Sequence, residues 1–333
     1  MANKESCREV LVNKVAGLNV APKIISDSPT TAKQRTRLQS EDAANDLLKE
    51  NLTDKTDVAG DSVLSFFGSW INETKLISGE FTNAKPFEHV AIPNFLSDAA
   101  CEQLIKEFPD PKNTRHNWHH YDNPIEMKYA LNCFDGLPVA SKMFHLLSSP
   151  EVILKIRELT GIADLEADPH LHGAGLHAYP SGGKLDTHLD YAIHPVTGKE
   201  RRINIILFLN KDWNEEYGGD LQLWDAELKT CSQVMPPKYN TAVIFRTCDI
   251  SYHGLPFPLK CPTDMHRRSI AIYYVSEPRP ETVKRYKAKF FPHPEQKVCD
   301  NLRRLYEVRK DRRIEQEDLA DWPTWRAEGG KFW

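Results

Sequence analysis

The chain lacks any stretch approaching eighteen consecutive apolar residues, the length at which a membrane-spanning helix becomes an option. Its opening residues, MANKESCREVLVNKVAG, also lack the continuous apolar core of a secretion signal. These absences lead to the expectation of an intracellular, cytoplasmic protein with no membrane partner. Cysteine is scarce and unorganised: seven thiols, an odd number, with no Cys-x-x-Cys pair, a pattern that suits reduced thiols rather than a disulfide framework. A surplus of one charge is missing too. Forty-three basic residues stand against 47 acidic ones, a formal net charge of -4 over 333 residues, so no nucleic-acid partner is expected. There is no His-Glu-x-x-His segment for zinc, and Ser181-Gly182-Gly183-Lys184 lacks the spacing of a phosphate loop. The sequons at Asn51 and Asn72 would matter only in a secreted chain.

What is present falls into four parts. Residues 1–58 are polar and without periodicity, and read as a flexible extension. Residues 59–85 contain SVLSFFGSWI, an apolar cluster expected to dock as a helix on the main body through packing. Structure begins in earnest with KPFEHVAIPNFLSDAACEQLIKEFPDP, where a strand running to Ile92 meets a helix capped by Ser97 and stopped by Pro109. A second helix is signed in SPEVILKIRELTG, with Ser149 as N-cap, Pro150 at its first position and Gly161 past its end. From 163 to 277 short β-prone segments follow one another, the clearest being RINIILFLN, with Ile203, Ile205, Leu207 and Leu209 on one face. GGDLQLWD, TAVIFR and RSIAIYYVSE continue at the spacing of a barrel or sandwich. Residues 281–333 form a basic, helix-prone tail in which Leu302, Leu305 and Tyr306 share a face and the cations from Arg303 to Arg313 read as a solvated surface.

The stretch LDTHLDYAIHP puts His188 and Asp190 two positions apart. In a strand that spacing aims an imidazole and a carboxylate from one face as neighbours. Two adjacent ligands do not close a metal site, and the best third is His253, at the end of the strand TAVIF. Two histidines and one carboxylate on one side of a metal leave the opposite positions open, as in non-haem Fe(II) oxygenases. His170, His172, His177 and His194 form a competing set for a zinc or cupin-like site.

The order H-x-D, alternating strand, Gly218-Gly219 turn, strand pair, distal His, then HRRSIAIYY resembles the 2-oxoglutarate- and Fe(II)-dependent oxygenases, in their prolyl 4-hydroxylase-like branch. AYPSGGKLDTHLD, FLNKDW and PFEHVAIPNFLSDAACEQLI add to the likeness, which spans residues 86–280. The resemblance implies an α+β, mainly β fold, with a double-stranded β-helix (jelly-roll) core and helices packed outside. It implies that His188, Asp190 and His253 ligate Fe(II), and that Arg267 binds the 2-oxoglutarate C5 carboxylate through its planar fork. Arg268 is the rival. Strand parity lets one of the two face inward, and Arg267 then shares its face with Ser269. Tyr179 matches a tyrosine lining the cosubstrate pocket, or else packs at a strand end. Phe208 stands where oxygen-sensing relatives carry a tyrosine, and Asn204 on the same face is a candidate to compensate. The implied reaction uses O2 and 2-oxoglutarate, with ascorbate as helper, to hydroxylate an unactivated C–H bond. Asp190 favours hydroxylation over halogenation. A prolyl residue of a protein is the first expectation for the prime substrate; a free amino acid or small metabolite, or a non-catalytic metal-containing β-barrel binding module, are the alternatives.

Overall fold

The computed structural model describes residues 62–328; the extension expected over 1–58 lies outside the described residues. Thirteen strands make one antiparallel hydrogen-bonded ribbon. They are β1 (His89–Ile92), β2 (His119–Asp122), β3 (Glu126–Leu131), β4 (Glu166–Ala167), β5 (Gly175–Tyr179), β6 (Lys184–Leu189) and β7 (Glu200–Phe208). There follow β8 (Leu221–Trp224), β9 (Cys231–Met235), β10 (Thr241–Arg246), β11 (His253–Leu255), β12 (Arg267–Ser276) and β13 (Lys289–Phe290). The order β1-β10-β7-β12-β5 makes one wall and β6-β11-β8-β9 the other, joined through β3. This is the curled, jelly-roll-like core expected from the sequence.

The alternation in β7 explains why the ribbon curls. Ile203, Ile205 and Leu207 face outward into a large core with Ile270, Ile272 and Leu176. Phe208 faces the other way and meets Val243, Phe245, Leu221 and Leu223 between the two walls. Both faces of β7 are therefore buried, one under helices and one inside the barrel. The outer face is covered by α1 (Thr74–Asn83), α2 (Asp98–Glu107), α3 (Pro138–Leu147) and α4 (Pro150–Thr160). Ser97 and Ser149 cap α2 and α4 by accepting from Ala100 N and Val152 N, and Gly161 closes α4 in the left-handed region at φ 70°.

Two segments differ from their sequence reading. The SVLSFFGSWI cluster forms short 3-10 turns at Val63–Phe66 and Ser69–Asn72 in place of one helix. The break falls at Gly68, where a Cβ would lie 1.8 Å from the Asn94 carbonyl oxygen. The cluster packs as expected nonetheless: Trp70 stacks on Phe95 at 4.8 Å and donates to its carbonyl at 2.7 Å. In the C-terminal part, α5 (Asp300–Asp311) and α6 (Trp325–Glu328) follow β13, and Leu302, Leu305 and Tyr306 are buried. The basic face of α5 is not wholly solvated. Arg309 is buried and ion-paired to buried Glu126 of β3 at 2.8 Å, because β3 presents a carboxylate that cannot stay inside alone. Among the described residues no helix is long and apolar enough to cross a membrane.

Candidate metal centre

His188 is the penultimate residue of β6, and its register partner on β11 is His253. His253 does not end the TAVIF strand; it opens the next one, on the other wall, and that pairing brings the imidazoles to a ring separation of 4.3 Å. Asp190 follows two residues after His188, with Oδ1 3.7 Å from His188 Nε2 and Oδ2 3.8 Å from His253 Nε2. Ligand atoms of all three buried side chains lie within 4.8 Å of one another, the one such group among the described residues.

The hydrogen bonds settle which atoms face inward. His188 Nδ1 lies 2.9 Å from the Asp186 carbonyl and His253 Nδ1 2.9 Å from the Ser251 carbonyl. A carbonyl only accepts, so each Nδ1 carries the proton and each Nε2 turns a lone pair toward Asp190. Burial and the neighbouring His253 push the His188 pKa down to about 3, so its ring is neutral. Burial alone would raise the Asp190 carboxyl, but Arg201, His253, His188 and Asn204 outweigh it and hold it below its ordinary value. Lone pairs from two imidazoles and a carboxylate thus converge with no proton between them. A cation satisfies that arrangement, and the donor set suits Fe(II) with open positions opposite.

The carboxylate has two further partners. Asn204 Nδ2 donates to Asp190 Oδ2 at 3.3 Å, and Arg201 approaches Oδ1 at 3.4 Å. Asn204 therefore spends its amide N–H on the Asp190 carboxylate. The Arg201 guanidinium lies 3.4 Å from the Tyr191 ring centre and 3.2 Å from that of Tyr273, and donates to the His172 carbonyl. Sequence reasoning missed Arg201, since nothing in its spacing distinguishes it from its neighbour Arg202.

Arg267 is buried on β12, directly opposite Tyr179 of β5, while Arg268 is partly exposed and lies over Phe108. The Arg267 guanidinium sits 5.3 Å from the Tyr179 ring centre and 4.7 Å from that of Phe208. Its Nε donates to the Gly219 carbonyl at 2.7 Å. A Cβ on Gly219, whose φ is +91°, would come within 2.9 Å of Arg267 Cδ, so the glycine turn is what admits the arginine. Burial lowers the Arg267 pKa to about 10, which leaves it charged at neutral pH.

The competing histidines gather elsewhere. His194 lies 3.2 Å from buried Asp168, whose carboxylate accepts from His170 N and His172 N. His194 Nδ1 accepts from Val196 N and Thr197 N, so this cluster ties two loops together through protein donors. His177 lines the barrel wall on β5.

Beyond the strands read from sequence, β13 adds itself to β6. Phe290 pairs with His188 and stacks on its ring at 4.9 Å, 19° from parallel, and the Arg309 guanidinium covers Phe290 at 4.7 Å. Tyr306 donates to Asp186 Oδ2 at 2.6 Å, and the backbone carbonyl of that same Asp186 receives His188 Nδ1–H. The tail thus buttresses His188 from two sides.

A model of the 2OG-Fe(II) oxygenase superfamily matches residues 174–275. No curated protein matches the chain by sequence. Similar solved structures include a Pseudomonas putida prolyl-4-hydroxylase, 15% identical with TM-score 0.43, covering 62% of this chain and 100% of that one. A Trichoplax adhaerens prolyl hydroxylase in complex with a hypoxia inducible factor peptide fragment is 18% identical with TM-score 0.46, covering 64% of this chain and 96% of that one. A Phytophthora capsici prolyl 4-hydroxylase is 17% identical with TM-score 0.45, covering 80% and 75%. Residues 174–275, which carry all three converging side chains, thus match the 2OG-Fe(II) oxygenase superfamily.

Proposed function

We propose that the protein hydroxylates an unactivated C–H bond, and that its prime substrate is a prolyl residue of a protein. The observation that carries the hydroxylase reading is the convergence of His188, Asp190 and His253 at one wall of a barrel whose other wall holds the buried, charged Arg267. The prolyl choice rests on FLNKDW, AYPSGGKLDTHLD and the amino-terminal strand and helix, which resemble the prolyl 4-hydroxylase-like branch.

When bound, iron with 2-oxoglutarate supplies the oxidising power: one atom of O2 enters the substrate, the other enters succinate, and CO2 leaves. His188, Asp190 and His253 would hold the metal on one side. Arg201 and Asn204 keep Asp190 ionised and oriented. Arg267 would receive the distal carboxylate of 2-oxoglutarate bidentately, its Nε already fixed by Gly219 so that its terminal nitrogens are aimed before the ligand arrives. Tyr179, opposite Arg267, would offer its hydroxyl to the same ligand. Phe208, Val243 and Phe245 line the barrel interior and exclude water. Ascorbate would sustain repeated turnover by keeping iron reduced.

Anaerobic addition of Fe(II) and then 2-oxoglutarate tests this reading. The visible charge-transfer band of the chelate is expected for the native chain and not for Asp190→Ala. A native chain that gives no band would refute the hydroxylase assignment.

A further inference from the structure

A group of cations around Tyr121 is ion-paired with no acid among the described residues. Lys128 sits on β3, where Ala130 pairs with His177 of β5. Strand alternation therefore puts Lys128 on the face that carries His177 and Tyr179, the wall that also bears Arg267. Its ammonium lies 5.2 Å from the centre of the Tyr121 ring. Arg313, just beyond α5, lies 5.3 Å from the centre of the same ring and donates to His119 Nε2 at 3.1 Å. Lys287 stands close by, its pKa pushed down by burial and then by the charges of Arg313 and Arg309.

The acids in this region are already committed. Glu126 pairs with Arg309 at 2.8 Å, Asp186 with Lys184 at 2.6 Å, and Asp122 with Arg326. Asp190 belongs to the metal centre. No described carboxylate is ion-paired with Lys128, Arg313 or Lys287. Burial opposes the charge on Lys128, yet Tyr179, Tyr121 and Glu126 outweigh it and raise the pKa, so the side chain stays an ammonium. A half-buried ammonium and a guanidinium on one aromatic platform, both lacking a counter-ion, form a receptor for an anion.

Two cations on this wall call for two anions. Arg267 has the planar fork and the glycine-shaped recess described above. Lys128 lies on a different strand, and His177 feels both: burial first, then Lys128 and Arg267, drive its pKa well below the ordinary value. We infer that Lys128 and Arg313, set on Tyr121, recognise a carboxylate carried by the prime substrate. The inference rests on the hydroxylase reading for its place in catalysis, and it names the substrate class as acidic. The carboxylate has two sources, an acidic side chain flanking the target residue of a peptide or the acid group of a free metabolite.

Isothermal titration of the full chain under anaerobic conditions, with and without Fe(II) and 2-oxoglutarate, separates these. The probes are Ac-Gly-Asp-Pro-Asp-Gly-NH2, its Asn-Pro-Asn counterpart, and N-acetyl-aspartate. An acidic probe is expected to bind at least about tenfold tighter than the Asn peptide, with the preference weakening as salt is raised. Whichever acidic probe binds identifies the source. Lys128→Met and Arg313→Gln are expected to abolish the preference, and Arg313→Lys to keep most of it, which guards against a folding defect. Equal binding of the Asp and Asn peptides, no binding of either acid, or a preference that survives both neutral substitutions would overturn the carboxylate site. So would Lys128→Met acting on 2-oxoglutarate affinity instead. Acid binding in a chain that gives no chelate band would sink the hydroxylase reading alone; a band without acid binding would sink the carboxylate site alone.

Discussion

At the scale of single residues, neighbouring side chains of one type have been given different tasks by strand parity. Arg267 points into the barrel and Arg268 partly outward, so Arg267→Ala is expected to raise the 2-oxoglutarate concentration needed for succinate formation by at least tenfold, and Arg268→Ala by less than threefold. Steady-state kinetics with varied cosubstrate would show this, and the opposite ranking would transfer the role. His172 shows how the loop behind the site responds to acid. Burial, then Arg201 and His194, lower its pKa from 6.5 to about 4. The unfolded chain therefore binds the proton more readily than the folded one, and stability present above pH 6.5 is lost as pH falls toward 4. His172→Gln should flatten part of the fall in melting temperature between those limits; an unchanged slope would assign the acid sensitivity elsewhere.

Among elements, β13 and α5 have the most consequence for the centre, although both lie outside the segment that matches the superfamily. Phe290 is buried, stacked on His188 and covered by Arg309. Removing its ring should cost about 3–5 kcal/mol by the usual measure for a buried phenylalanine. Because the ring also lies against His188, Phe290→Ala should weaken Co(II) binding to the metal-free chain, read by cobalt absorbance, while Phe290→Tyr should retain most of it. Loss of stability with intact cobalt affinity would reduce Phe290 to a packing residue. The pairing of Arg309 with Glu126 has a different cause: each would be an isolated buried charge without the other.

At the scale of the whole molecule, the site and its supports lie between His119 and Arg313, so deletion of residues 1–58 is expected to leave succinate formation in the absence of prime substrate within about twofold of the native rate, a margin on the order of a surface change. A collapse of that rate would give the extension a structural part. The sequence was sufficient wherever the controlling interactions are local. Ser97, Ser149 and Gly161 mark helix ends because caps act within a few residues. His188 and Asp190 share a face because a strand repeats every two residues, and the same rule distinguishes Arg267 from Arg268. Tertiary structure alone decided that β11 lies beside β6, that Arg201 rather than Arg202 reaches Asp190, that Phe290 stacks on His188, and that Lys128 shares a face with Tyr179. Those outcomes depend on which distant strands pair and in what register. Backbone hydrogen bonds are chemically alike along the chain, so residue spacing carries no record of that choice; only the simultaneous burial of both barrel faces selects it.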